Sequence, residues 1–436
     1  MEALLHYVWL HRLYPIGPLH TADGKTLEVI DPGLYNRDAG PDFFNAKIRI
    51  DGQLWVGNIE IHLRASDWYR HHHDTDAHYN NVVLHVVQTL DREVTTANGL
   101  TLPQFVMQVP AEVRAPYDEL MAATHYPPCR RIIPSIPELY VHGWLDALSI
   151  ERLSHKAERI RQWLSATAGD WERTFFITLA RAFGFGKNSD AFEAWAATID
   201  PQQIGKHRDN PLQVEAYFFG QAGLLNDEAT APERRDTHFL ELQREYRFLQ
   251  KKFSLTPLPH HRWQFLRMRP ANFPHRRLAQ LAELYATRRL DFASMKQMRD
   301  VKTIAKLLTF NMLPYWSEHY TFGVRAEGKE NSAPPAPQKL SAASVQLLVI
   351  NAIAPTLFAY AQQHSDETMQ AQAFELLHTL RAERNAIIDA WRDSGIEAQH
   401  AADSQALLHL KLHYCDTRKC LDCRFGSCYL RQRQKP

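Results

Sequence analysis

The sequence predicts a mixed α/β domain at the N-terminus, a large all-α region after it, and a short cysteine-rich tail. Strand-like alternation of apolar residues dominates 26–109, helical spacing takes over from Pro137, and four cysteines crowd between Cys415 and Cys428. A chain of 436 residues exceeds what one hydrophobic core usually supports, so two or three domains are expected. The boundaries read as 1–125, 136–325, 340–414 and 415–436.

Leu5, Trp9 and Leu13 recur at helical spacing, which gives an amphipathic helix over 2–13 stopped by Pro15. Glu2 and His6 sit one turn apart on another of its faces. Thr26 to Ile30 reads as a strand ended by Asp31-Pro32-Gly33. Ala46, Ile48 and Ile50 alternate with Lys47 and Arg49, Asp51-Gly52 turns the chain, and Leu54 to Leu63 return as a second strand. After the polar stretch 67–80, Val82 to Val87 is a β-branched strand, and Thr101 to Val109 adds another. Helical patterns then cover 151–165, 171–184, 189–198, 211–225 and 233–250, followed by 275–288, 292–299 and 301–311. Residues 326–339 form a linker of low hydrophobicity, and helices resume at 341–363, 366–380 and 382–393.

A net charge of +1 excludes a uniformly basic nucleic-acid coat but leaves room for a local basic groove. No run of 18 apolar residues occurs, so no membrane span is predicted. The first residues lack the basic start and small-residue cleavage site of a secretory signal. Five cysteines, four of them clustered, suit a reducing compartment, so a cytoplasmic location is expected.

On the strand 54–63, Asn58, Glu60 and His62 share one face. The side taken by Asp42 depends on register. A two-residue turn at Asp51-Gly52 pairs Asp42 with Ile61 and turns it away, whereas a three-residue loop over 51–53 pairs it with His62. A one-residue bulge near Phe43 would also bring Asp42 to the face of Glu60 and His62. Two carboxylates and an imidazole gathered this way can hold a divalent cation and a water, the minimum for metal-assisted phosphodiester hydrolysis.

Pro41-Asp42 followed by Glu60-Ile61-His62, set in a helix–hairpin–strand order over residues 1–110, resembles the PD-(D/E)XK nuclease superfamily. The resemblance implies a mixed sheet of nuclease-like topology. It also implies that Asp42, Glu60 and the carbonyl of Ile61 bind Mg²⁺ or Mn²⁺, with Glu2 as an accessory carboxylate. His62 stands where that superfamily usually has lysine; it can act as general base, serve as a third ligand, or mark a lost activity. The whole chain is also similar to an uncharacterised bacterial family known only as a domain of unknown function. That similarity rests on 36–43, 57–62, 218–225, 269–274 and the terminal cysteines, and it carries no established activity.

Residues 67–79 hold four histidines and three aspartates directly after the strand with Glu60, with His85 on the next strand. They read either as a second group of site residues or as a polar exposed connection. Cys415, Cys420, Cys423 and Cys428 read as one S4 metal site, with zinc ahead of an iron–sulfur cluster, and Cys129 as an ordinary loop cysteine. Between His260 and Arg289 a basic segment includes Arg267, Arg269, Arg276 and Arg277, and the tail adds Arg418, Lys419, Arg424, Arg431, Arg433 and Lys435. These are candidate contacts to DNA or RNA backbone, or surface charges paired elsewhere. The expected function is metal-dependent hydrolysis of nucleic-acid phosphodiesters by Asp42, Glu60 and His62. The alternatives are a non-catalytic nucleic-acid-binding or scaffold protein with a decayed site, and a hydrolase of smaller phosphoesters.

Overall fold

The N-terminal helix α1 (Glu2–Leu10) buries Leu4, Leu5, Val8 and Trp9, the apolar stripe expected from its spacing. The computed structural model describes residues 1–15, 17–298, 300–311, 313–325 and 338–431. Most of the expected linker, 326–337, and the tail residues Arg433 and Lys435 lie outside the described residues. The chain divides into two units: Met1–Val141 with Asp389–Ile396 and the residues from Leu410 onward, and His142–Ile388 with Glu397–His409.

The first unit is built on a seven-stranded sheet. Its strands are β1 (Leu19–His20), β2 (Thr26–Asp31), β3 (Leu34–Tyr35), β4 (Phe43–Ile50), β5 (Gln53–Arg64), β6 (Val82–Thr89) and β7 (Gln104–Val106). The order is β1-β2-β4-β5-β6-β7, with β3 paired to β4. The strands β2, β4 and β5 are antiparallel, whereas β6 lies parallel to β5 and β7 parallel to β6. A parallel neighbour requires a crossover, and a short helix α2 (Asp67–Arg70) with a 3₁₀ turn at Ala77–Tyr79 lies in it. Ile48, Ile50, Ile59, Ile61, Leu84 and Val86 pack with α1 on one face. Ala65, Trp68, Tyr79, Val82, Val87, Val94 and Leu102 form a second cluster. Strand β5 is therefore buried at four consecutive positions, 59–62, where simple alternation predicts one solvated face.

The register combines two of the possibilities open from sequence. Ile50 pairs with Gln53 across the two-residue turn Asp51-Gly52, whose φ angles of 45° and 81° suit a hairpin turn of the primed type. The three-residue loop is not formed. The ladder then slips between Ala46↔Gly57 and Phe43↔Ile59, so β4 carries one extra residue at Phe44-Asn45. Asn45 absorbs this bulge with φ of 54°, a left-handed conformation that asparagine tolerates better than most residues. Phe43 stays in the core, and Asp42 comes to lie beside Glu60 instead of facing the opposite side of the sheet.

The tail does not stand apart as a separate 415–436 unit. From Leu410 onward it belongs to the first unit. The Arg418 guanidinium donates to the carbonyls of Leu120 and Ala123 on the helix α3 (Ala111–Ala122) and just after it, at 3.2 and 2.5 Å. Tyr429 Oη donates to Glu119 at 2.8 Å, and Tyr7 Oη meets Ser427 Oγ at 2.9 Å. The helix Arg424–Arg431 adds an apolar face, burying Phe425, Tyr429 and Leu430 at helical spacing.

The second unit is mainly helical, as expected, with two added two-stranded ribbons, His319–Thr321 with Val324–Arg325 and Thr309–Phe310 with Gln338–Lys339. Its core gathers Phe175, Trp195, Phe218, Phe219 and Trp316. Gly220 lies so close to the Tyr246 ring that a Cβ there would be 2.0 Å from it, which explains glycine in the Phe218–Leu225 segment. The stretch Ala342–His364 is long and apolar enough to cross a membrane by composition, contrary to the sequence expectation of no such span. Yet 67% of its window is buried among the other helices.

Asn45 makes a direct prediction. Asn45→Val should destabilise the protein by about 1–2 kcal/mol because a β-branched residue resists the left-handed bulge, while Asn45→Gly should be nearly neutral. Equal melting temperatures for the Val and Gly variants would contradict the bulge.

Candidate metal-binding site

The bulge latches Asp42 and Glu60 to each other through the backbone. The Asp42 N–H donates to Glu60 Oε2 at 3.2 Å, and the Ile61 N–H donates to Asp42 Oδ2 at 2.9 Å. Ile61 therefore meets the site through its N–H, whereas the nuclease resemblance assigns its carbonyl. Glu60 is 5% exposed and the Asp42 side chain 22%, so one carboxylate is sealed and the other reaches solvent.

Two imidazoles meet Glu60, and a third meets one of them. His62 Nε2 lies 3.4 Å from Glu60 Oε1, His73 Nε2 lies 3.2 Å from the same oxygen, and His71 Nδ1 lies 3.1 Å from His62 Nε2. The ligand atoms of His62, His71 and His73 all fall within 4.8 Å of one another. Four donors about 2.0–2.1 Å from a tetrahedral ion are about 3.3–3.4 Å apart, and cis donors of an octahedral ion about 3.0 Å apart. The three successive spacings fall within that range.

Local backbone chemistry brings His71 and His73 together despite the residue between them. Helix α2 ends in a Schellman-type cap: the His73 N–H donates to Trp68 O at 3.0 Å and the His72 N–H to Tyr69 O at 3.1 Å. His72 takes the left-handed position with φ of 62° and points to solvent. That turn sends His73 inward, where its ring stacks on Tyr79 at 3.7 Å between centroids. His78 stays outside, bonded to Asp76. Behind the site, His62 Nδ1 meets His85 Nε2 at 2.9 Å, while Gln104 Nε2 donates to Arg92 O and lies 3.4 Å from His85 Nδ1. Such backing fixes ring orientation in metal-binding histidines.

His6, on the polar face of α1, brings Nε2 to 3.3 Å from Asp42 Oδ2. That atom makes no well-formed hydrogen bond there. The sequence reading passed over His6 as a site residue; its only signal was its place one turn from Glu2.

The electrostatics describe a site short of positive charge. Burial, and then the Asp42 carboxylate, push Glu60 up to about 9. Burial, reinforced by His85, His73 and His71, lowers His62 to about 2, and burial lowers His85 to about 3 and also lowers His73. These imidazoles stay neutral with lone pairs to offer. Burial lowers His6 too, but Asp42, Glu2 and Glu60 outweigh it and the net shift is upward.

The other predicted residues fall elsewhere. Arg277 is 4% exposed, donates to Gln280 and Asn272, and covers the Phe185 ring, so burial takes it away from any phosphate. Arg276 is half-buried over Tyr320, while Arg267 and Arg269 are exposed. Cys415, Cys420 and Cys423 are buried, whereas Cys428 is half-buried.

The raised Glu60 value predicts a pH signature for cation-free protein. The folded chain keeps the Glu60 proton up to about pH 9, while the unfolded chain releases it near the ordinary 4.5. Between those values the folded state binds more protons, so its stability falls as pH rises. Melting temperature should therefore drop from pH 5 to 9 more steeply in the native protein than in Glu60→Gln; equal slopes would contradict the assignment.

Searches of the curated proteins and of the solved structures each find no significant match. A family model does match, over residues 2–386, which is most of the chain and includes every histidine and carboxylate of this site. The chain belongs to the family described as "Protein of unknown function (DUF2851)".

Proposed function

We propose that this site binds one divalent transition-metal cation and uses it to hydrolyse phosphodiesters, with nucleic acid as the substrate class. The observation that carries the reading is the linked series His73, Glu60, His62 and His71, with successive spacings of 3.1–3.4 Å, the three imidazoles within 4.8 Å of one another, and Asp42 alongside. A set of three imidazoles and a carboxylate suits Mn²⁺ or Zn²⁺ better than Mg²⁺, which prefers oxygen donors and keeps its waters. When bound, the cation supplies a Lewis acid for the phosphoryl oxygen and lowers the pKa of water.

The residues divide the remaining work. Glu60, His62, His71 and His73 hold the cation, and His85 and Gln104 fix the ring of His62. Asp42 is the partly exposed carboxylate, free on one side to orient water. His6, beside Asp42 and 12% exposed, is placed to accept a proton from that water and give it up to solvent. His62 in the lysine position then replaces a fixed cation by a ligand, so the charge at the site comes from the metal.

The nucleic-acid part rests on the nuclease-like reading of the first unit. A helix precedes five strands, of which β2, β4 and β5 form the antiparallel core, then come a short helix and a parallel strand, and the paired acids sit at the bulged hairpin. On the second unit, Arg262, Arg267 and Arg269 are exposed and remain candidate contacts to a phosphate backbone.

The test is cleavage of single- and double-stranded DNA, of RNA, and of a simple diester such as bis-p-nitrophenyl phosphate, with Mn²⁺ or Zn²⁺ added or chelated. Chelation should abolish cleavage. Glu60→Gln and His73→Ala should lower it at least about 100-fold with the fold intact, in line with losses seen when metal ligation is disturbed. Cleavage that survives both substitutions would reject the proposal, and cation binding without cleavage of any substrate would favour a non-catalytic protein.

A further inference from the structure

We propose that Cys129, Cys415, Cys420 and Cys423, and not the four cysteines of the tail, hold a thiolate-ligated metal centre. The cofactor class is a zinc ion or an iron–sulfur cluster, both of which take four thiolates. The site is separate from the histidine site and does not depend on its function.

The four cysteines line one small cavity of about 10 Å³, together with Pro128, Tyr414, Lys419 and Gly426. Cys129 arrives from the loop after α3, far from the others in sequence. Its thiol is pushed up by burial and then by Cys423, Cys415 and Cys420, so it lies within electrostatic reach of the other three. Cys415 is likewise pushed up by burial and by Cys423 and Cys420. Neutral thiols packed this way have little to gain from each other. A cation in their midst converts them to thiolates and repays their burial.

Cys428 is excluded by helix geometry. The helix Arg424–Arg431 starts directly after Cys423, and a residue five positions on is rotated by about 140°. Cys428 is half-buried, its neighbouring charge is Arg431, and it does not line the cavity. Gly426 fixes the approach of this helix: a Cβ there would lie 2.0 Å from the Cys420 carbonyl oxygen, so only glycine lets the backbone close over the cavity. A centre at this point ties the loop after α3 to the tail, where a metal adds directly to folding energy.

The experiment measures zinc and iron per chain, with visible absorbance, on full-length protein purified without oxygen or chelators. The His73→Ala background keeps any cation at the histidine site out of the count. About one zinc, or about four iron with visible absorbance, is expected in this background and in Cys428→Ser, with at least a tenfold loss in Cys129→Ser. The zinc and iron arms identify the cofactor. Loss of metal in Cys428→Ser, retention in Cys129→Ser, or absence of both metals from the parent would overturn the assignment. A readout that does not rely on a folded variant is alkylation mapped by mass spectrometry on the parent protein. Cys428 should react first, and Cys129, Cys415, Cys420 and Cys423 should become reactive together when the metal is stripped. Unchanged reactivity of Cys129 on stripping would also overturn it.

Discussion

Two carboxylates are held side by side where water cannot separate their charges, and the first unit is arranged around that constraint. Glu60 lies beneath the sheet surface and Asp42 is tied to the same strand pair by two backbone hydrogen bonds. Like charges at that range in a poorly solvated place cannot both persist without compensation. In the cation-free protein the compensation is a proton on Glu60. The neighbouring imidazoles cannot supply it, since burial keeps His62, His73 and His85 neutral. The arrangement is costly as pure structure and well suited to a cation, which would restore both carboxylates and use the idle lone pairs at once.

Placement of these groups depends on two backbone irregularities. Without the extra residue at Phe44-Asn45, a two-residue turn would leave Asp42 on the wrong side of the sheet. Without the left-handed His72, His71 and His73 would not both turn toward the Glu60–His62 pair. Each is a single residue in a conformation that side chains resist, and functional sites are where such local strain is commonly retained.

Much of this was legible in the sequence. Alternation over 46–63 marked the hairpin, and the spacing of Glu60 and His62 marked one face. The choice of register was not legible, because a bulge is decided by tertiary packing of Phe43 and by the tolerance of Asn45, neither of which leaves a periodic trace. His71 and His73 stood in plain view, but a histidine run reads equally as a solvated loop until the helix cap is known. The place of Cys129 beside tail cysteines was not legible for another reason: the loop after α3 and the tail meet only in three dimensions. Arg277 showed the opposite failure, since a basic residue in a basic stretch gave no sign that it would be buried over Phe185.

The most direct measurement is the anomalous scattering of crystals grown with Mn²⁺ or Zn²⁺. The account predicts one peak within about 2.0–2.3 Å of Glu60 Oε1, His62 Nε2, His71 Nδ1 and His73 Nε2, the ordinary range for nitrogen and oxygen ligands. A fully soaked crystal with these four side chains ordered and no peak between them would contradict it.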